Sequence, residues 1–243
     1  MRIAIISDVH GNLQALEAVL PEIKKENPDS VIFLGDVVGY GANPNECCEI
    51  IKEVADVCII GNHDSAVIGK IEIEWFNPDA REAILWTREN LKRENMEFIE
   101  SFVETFKISD FLFSHGSPVN PREFIYVFSS ETAKEISLWA KGKYRCVFVG
   151  HSHITLSFFI DSSGNPIPFI EEEVKLEGGD FVINVGSVGQ PRDGDPRAFF
   201  AILDTEKRLY TARRVEYNVK EAADRILKNG LPPFLAYRLF VGE

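Results

Sequence analysis

The chain holds five histidines, and all five stand in the same kind of place. His10, His63, His115, His151 and His153 each follow an apolar run, inside a short polar or glycine-containing cluster. Asp8, Asp36, Asn62 and Asp64 share those clusters. A single histidine has many uses, but five in one sequence context point to one site. Oxygen and nitrogen donors without a thiolate motif suit manganese, iron, zinc or nickel better than a structural cysteine–zinc site. The donors outnumber what one tetrahedral ion requires, and two ions sharing a bridging carboxylate would use them. Such centres hold their ions about 3.5–4 Å apart and hydrolyse phosphate esters with a bridging hydroxide that attacks in line. The first pair, Asp8-Val9-His10, reads as the end of an extended strand, where residues i and i+2 share a face.

To bring these clusters together, the elements must end at one edge. Residues 2–7 read as a buried strand. Residues 12–26 place Leu13, Leu16, Val19, Leu20 and Ile23 at helical spacing, with Asn12 as N-cap. Pro21 is expected to kink or shorten that helix. "SVIFLGD" (30–36) predicts a strand, residues 44–55 a helix opened by Pro44, and "DVCIIGNHD" (56–64) a third strand. The β-α-β-α-β order predicts a parallel sheet with helices on its faces. Sites in such sheets form beyond the carboxyl ends of the strands, where every polar cluster falls. Residues 65–105 read as a charged helical insert carrying Trp75, Phe76, Trp86 and Phe98, packed as core or placed as a cap over the site. A strand follows over 107–118, a helix over 130–141 and a strand over 145–153. Later strands are expected in "LSFFID" and "PIPFIE", joined by a hairpin turn at "SSGN", then in "DFVINVGSVGQP", "AFFAILD" and "RLYTARRV". A last helix covers 219–229. "REFIYVF" and "EEEVKLEGG" read as solvated faces and loops. With neither repeat nor linker, residues 1–243 read as one domain.

Composition narrows the classes of function. Of 243 residues, 45% are hydrophobic and 26% charged, as in ordinary globular proteins. No apolar run approaches the ~18 residues of a membrane helix. The first apolar run is too short for a secretory signal and ends in charge, so a cytoplasmic protein is expected. A net charge of −12 argues against a duplex nucleic acid partner. It leaves small phosphate ligands open, because a bound metal reverses the field locally. Cys47, Cys48, Cys58 and Cys146 show no CxxC spacing and read as small buried residues.

In order along the chain, the clusters spell Asp8-Val-His10, Gly35-Asp36-Val-Val-Gly39, Gly61-Asn62-His63-Asp64, Ser114-His115-Gly116 and Gly150-His151-Ser-His153. Together they resemble the calcineurin-like metallophosphoesterase superfamily, and "NVGSVGQPRDGDPRAFF" (184–200) resembles the closing segment of its smaller bacterial and archaeal members. The resemblance implies a four-layer αββα sandwich. It implies one metal on Asp8, His10 and His153, a second on Asn62, His115 and His151, and Asp36 between them. His63 would protonate the leaving oxygen or hold the phosphate, and Asp64 would orient His63 through its other ring nitrogen. The activity implied is hydrolysis of a small phosphoester, a phosphodiester or nucleotide phosphoanhydride.

One position departs from the pattern. Protein phosphatases and symmetrical dinucleoside tetraphosphatases of the superfamily usually carry an arginine shortly after the bridging aspartate, and here Tyr40 stands in its place. The loss of a bidentate phosphate grip leans toward phosphodiesterase-like members. Phosphomonoester or phosphoprotein hydrolysis stays as an alternative. A protein-binding scaffold is more remote, because such scaffolds lose ligands that this chain keeps. Arg192 or Arg197, in "GQPRDGDPR", would approach the phosphate or pair with Asp193 and Asp195 at the surface. Tyr40 and Asn43 would contact substrate or simply pack their loop.

Overall fold

The computed structural model describes all 243 residues. Twelve strands form: β1 (Arg2–Ile6), β2 (Ser30–Phe33), β3 (Val57–Cys58), β4 (Thr105–Ile108), β5 (Phe111–Ser114), β6 (Cys146–Val149), β7 (Ser157–Ile160), β8 (Pro166–Phe169), β9 (Glu173–Lys175), β10 (Asp180–Asn184), β11 (Ala198–Asp204) and β12 (Leu209–Val215). The helices are α1 (Leu13–Lys25), α2 (Pro44–Val54), α3 (Asn62–Val67), α4 (Pro78–Asn90), α5 (Arg93–Glu100), α6 (Ser130–Ala140), α7 (Val219–Lys228) and α8 (Pro233–Tyr237). One sheet runs β3-β2-β1-β11-β12-β9 and the other β4-β5-β6-β10-β7-β8. Each has a parallel part, β3-β2-β1 along one side of the first sheet and β5-β6-β10 at the centre of the second.

The layers follow from the two-residue period of the strands. Ile3 and Ile5 turn inward and join Phe111, Phe113, Phe148 and Leu203 in a core between the two sheets. Phe113 and Phe148 stack there, 5.2 Å between centroids. Ala4 and Ile6 turn outward and pack with Leu16 and Val19 of α1. On the far side, Leu112, Val147 and Val149 pack with Ala133 and Ile136 of α6. The result is the αββα sandwich. A smaller cluster joins α4, α7 and α8 around Tyr40, so the C-terminal helices brace the loop after β2.

Several elements differ from the sequence reading. Asn12 caps α1, its Oδ1 accepting from the Ala15 N–H at 3.1 Å, but the helix runs through Pro21 to Lys25. Pro21 lies on the exposed face. The run 56–64 yields only a two-residue strand, and Asn62 and His63 open α3 instead. The run 107–118 divides into a hairpin of β4 and β5, pairing Ile108 with Phe111. "EEEVKLEGG" carries the edge strand β9, which pairs with β12, and α8 gave no sequence signal.

Phe148 is fully buried between the sheets. Phe148→Ala is expected to lower stability by about 3–5 kcal/mol, read from denaturant midpoints at unchanged slope. A loss below about 1 kcal/mol would show that the inter-sheet core does not hold the fold.

Candidate metal centre

The parallel strands of both sheets deliver their carboxyl ends to one place. Beyond β1 and β2 the two loops stay zipped together. Asp8, His10 and Gly11 donate their N–H groups to the carbonyls of Gly35, Asp36 and Val37, each at 2.9 Å. The first sheet thus contributes Asp8, His10 and Asp36. The second contributes His115 after β5 and His151 and His153 after β6, while Asn62 and His63 come from the first turn of α3.

The convergence of Asp8 and His10 has a different cause from the one expected. β1 ends at Ile6, and both residues lie in left-handed conformation, at φ 54° and 50°. Asp36, Tyr40, His151 and His153 do the same, at φ 60°, 59°, 63° and 59°. This conformation costs an L-residue roughly 1–2 kcal/mol, and such outliers gather at functional sites. Left-handed turns, not strand alternation, aim these side chains at one point.

Each key carboxylate is anchored by one oxygen and leaves the other free. Asp36 Oδ1 accepts from the His63 N–H at 2.8 Å, and Asp8 Oδ2 accepts from the His151 N–H at 3.0 Å. Asp36 Oδ2 and Asp8 Oδ1 are buried and have no hydrogen-bond partner. Three imidazoles meet them with Nε2 because Nδ1 is engaged elsewhere. Nδ1 of His10, His115 and His153 lies 3.0, 2.7 and 2.6 Å from the carbonyls of Val38, Leu34 and Gln190, which fixes the tautomer as at metal-binding histidines. Asp8 Oδ1 then lies 3.3 Å from His153 Nε2 and 3.8 Å from His10 Nε2. Asp36 Oδ2 lies 3.7 Å from His10 Nε2 and 3.3 Å from His115 Nε2. His115 Nε2 is also 3.3 Å from Asn62 Oδ1 and 3.2 Å from His151 Nδ1. Asp8, His10 and His153 form one triad of donors, and Asp36, His115 and His151 another.

The electrostatics ask for a cation. Nε2 of His10 faces Nε2 of His153 at 3.0 Å, and with both Nδ1 atoms donating, two lone pairs point at each other. Burial disfavours the charged form of Asp8 and Asp36, yet the imidazoles of His153 and His115 hold both carboxyls well below the usual range. Burial pushes His10 and His151 well down, so they stay neutral and able to ligate. Burial opposes charge on His115 too, but Asp36 outweighs it and raises His115 to about 9. The field of Asp36 that draws a proton to His115 draws a metal cation to the same place. Divalent cations fit this donor set.

Two glycines of the motifs have a steric purpose. A Cβ at Gly61 would fall on Asp36 Oδ1, and one at Gly150 would fall on Ser7 Oγ and crowd Asp8 Oδ2. Asp64 departs from its expected role. Its carboxylate accepts from the N–H groups of Asp36 (2.7 Å), Val37 (2.9 Å), Gly61 (3.2 Å) and Val38 (3.4 Å) and makes no contact with the His63 ring. It ties the loop of Asp36 to the start of α3. Burial and the Asp36 charge push Asp64 up to about 7, against the pull of its N–H donors. His63 Nδ1 is buried without a partner, and burial pushes the ring down to about 4.

Around the centre, Tyr40 is 6% exposed, its ring 4.6 Å from that of His10 and 4.4 Å from that of His63. The Arg192 guanidinium lies 5.5 Å from the Tyr40 ring centroid and donates only to Gln190 Oε1, at 2.7 and 3.2 Å. Arg197 pairs with Asp195 at 2.6 Å, and Asp193 pairs with Arg214. Asn43 is buried and donates to Glu46 Oε1 at 3.0 Å. A cleft of about 550 Å³ opens outward from Asn62, His63 and His151 between residues 70–77 and 122–126. "REFIYVF" is thus no mere solvated face, for Tyr126 stacks on His151 at 3.9 Å and 9°. Its aromatics just downstream of Ser114-His115-Gly116 were the signal available. The carbonyls of Leu34, Val38 and Gln190 had none, since their use is purely a matter of backbone position.

The chain belongs to the calcineurin-like phosphoesterase superfamily, whose domain description matches residues 1–208. A metallophosphoesterase from Sphaerobacter thermophilus superposes with a TM-score of 0.89, at 39% identity, covering 100% of this chain and 99% of that one. A hypothetical protein from Pyrococcus horikoshii shares the fold at a TM-score of 0.80 and 23% identity, covering 100% and 98% of the two chains. An uncharacterised protein of Methanocaldococcus jannaschii is 41% identical over 99% of this chain and 98% of its own. A symmetrical bis(5′-nucleosyl)-tetraphosphatase of Psychromonas ingrahamii is 30% identical over 39% of this chain and 40% of its own. The family and the αββα fold expected from the motifs are both found. The chain is a metal-dependent phosphoester hydrolase.

Saturating Mn²⁺ is expected to raise the unfolding temperature, since a ligand at 100 times its Kd adds about 2.7 kcal/mol. Asp36→Asn and Gly61→Ala should abolish most of that rise and lower the metal content found by elemental analysis. Undiminished metal content in Asp36→Asn would remove Asp36 from the centre.

Proposed function

We propose that the chain hydrolyses phosphodiesters or nucleotide phosphoanhydrides at a two-ion centre. Asp8, His10 and His153 hold one ion, Asn62, His115 and His151 the other, and Asp36 both. The observation that carries this reading is Asp36 Oδ2, a buried oxygen without a hydrogen bond, lying between His10 Nε2 and His115 Nε2. Manganese is the ion we assign, with iron, zinc or nickel as substitutes, because mixed carboxylate and imidazole donors accept all of them. When bound, such ions neutralise phosphate charge and make water nucleophilic near neutral pH.

The chain's own residues then bind and orient. Neutral His63 carries its proton most cheaply on Nε2, because Nδ1 is buried without an acceptor. From Nε2 it donates to a phosphoryl oxygen or to the leaving oxygen. Arg192 has no carboxylate partner and grips the phosphate in place of the arginine absent after Asp36. Tyr40, covered by His10 and His63, takes part indirectly by seating Arg192 over its ring. Asp64 acts by holding the Asp36 loop. One side-mounted arginine suits a diester monoanion better than a monoester dianion, and the partial likeness to a nucleoside tetraphosphatase supports the anhydride substrates.

The whole chain works as one domain, with the 65–105 segment as its insert. A net charge of −12 favours small substrates over duplex nucleic acid. No helix is long and apolar enough to cross a membrane. Four free cysteines, three of them buried, suit a cytoplasmic setting.

The Mn²⁺-loaded protein is expected to cleave bis(p-nitrophenyl) phosphate faster than p-nitrophenyl phosphate. The reverse order would replace the diesterase reading by a phosphomonoesterase. His63→Ala should lower kcat by about 10²–10³, as loss of a hydrogen-bond donor to developing charge does, with metal content unchanged, and full activity would remove His63 from the chemistry. Arg192→Ala should raise KM roughly tenfold or more, as loss of a charged hydrogen bond does. An unchanged KM would leave Arg192 a loop residue.

A further inference from the structure

The cleft above the metal centre has walls that ordinary packing does not explain. One wall is the segment 70–77. Phe76 sets its ring edge-on to His63 at 5.0 Å, whereas the neighbouring Trp75 is 90% exposed. The other wall is 122–126. Tyr126 lies parallel on His151 and is still 43% exposed. Phe124 stands 5.9 Å from the His115 ring with its backbone left-handed, at φ 48°. A bulky residue rarely adopts that conformation, and strain of this kind gathers at ligand clamps. A single exposed aromatic needs no explanation. Here both exposed rings border one cleft, and the floor of that cleft consists of Asn62, His63 and His151. Its volume, about 550 Å³, lies within the range of small-molecule sites.

We infer that this cleft seats a planar aromatic group carried by the phosphate at the centre, with Trp75 and Tyr126 as the stacking surfaces. The inference rests on the hydrolase reading above and adds to it which part of the substrate is recognised. The phosphate sits below, at the metal centre. The group esterified to it extends into the cleft, between the two aromatic walls. Stacking on a π-face tolerates many rings, so a nucleobase and a simple aryl group share the required chemistry.

The test is binding to the Mn²⁺-loaded protein, by calorimetry, of pairs that differ only in the ring. Adenosine 5′-monophosphate is compared with ribose 5-phosphate, and phenylphosphonate with methylphosphonate. Each aromatic member is expected to bind about tenfold tighter than its partner, as one stacked ring does. Trp75→Ala should erase most of that ratio and leave the affinity for ribose 5-phosphate and methylphosphonate unchanged, and Tyr126→Ala should erase most of the ratio whatever its effect on those two ligands through His151. Trp75→Phe should keep the ratio but lose the ligand-induced quenching of indole fluorescence. A ratio seen only in the adenosine pair assigns the cleft to nucleotides, and one seen in both pairs assigns it to planar rings in general. A ratio near one in the wild type, or one untouched by both alanine variants, overturns the inference. Bis(p-nitrophenyl) phosphate turnover is measured alongside. Turnover without a ring preference sinks the cleft alone, whereas a ring preference without turnover sinks the hydrolase reading and leaves the cleft.

Discussion

Two carboxylate oxygens, Asp8 Oδ1 and Asp36 Oδ2, are buried at the meeting point of both sheets with no hydrogen-bond donor. Placing such charge in the interior is severely unfavourable unless it is compensated. Two neutral imidazoles, His10 and His153, direct their Nε2 lone pairs at the same space, which adds to the demand for positive charge. The centre is therefore a frustrated cluster by itself and a satisfied one around divalent cations. Binding energy for the ions and stability of the fold are linked through it.

Holding that cluster takes most of the loop structure above the sandwich. Six residues accept left-handed backbone there, a strain of several kcal/mol together. The zipped loops of Asp8–Gly11 and Gly35–Val37 offset it with backbone hydrogen bonds. Asp64 gathers four N–H groups, three from the Asp36 loop and one from Gly61. Gly61 and Gly150 leave room where a methyl group would collide with the two carboxylates or their neighbours. The rigid layers supply direction, since parallel strands of two sheets all end at this edge.

Selectivity lies in the less regular parts. The segment after α3 and the loop after β5 rise on either side of the centre. The C-terminal helices brace Tyr40 from below. Arg192 arrives from the β10–β11 connection, far along the chain from the Tyr40 loop on which it sits. A common core thus meets a particular set of walls around the cleft.

The sequence by itself determined the inventory of the site. Five histidines, each behind an apolar run, marked a metal centre and the strand ends that carry it, because donor type and strand pattern are local properties. The spelling of the motifs determined the family and, through it, the layers. Tertiary structure alone decided how the donors converge. Asp8 and His10 meet through left-handed turns and not strand alternation, and Asp64 serves the backbone and not His63. Which arginine pairs at the surface also lay outside the sequence: Arg192 and Arg197 are five residues apart in one loop, yet only Arg197 finds a carboxylate, while Arg192 lies over Tyr40. The aromatic cleft was equally hidden, since residues 75 and 126 are brought together only when β5 and α3 end beside each other. Patterns of residue type report which face is apolar and which atoms can ligate. Backbone dihedrals, hydrogen-bond partners and the approach of distant loops depend on contacts across the whole chain, and no local pattern encodes them.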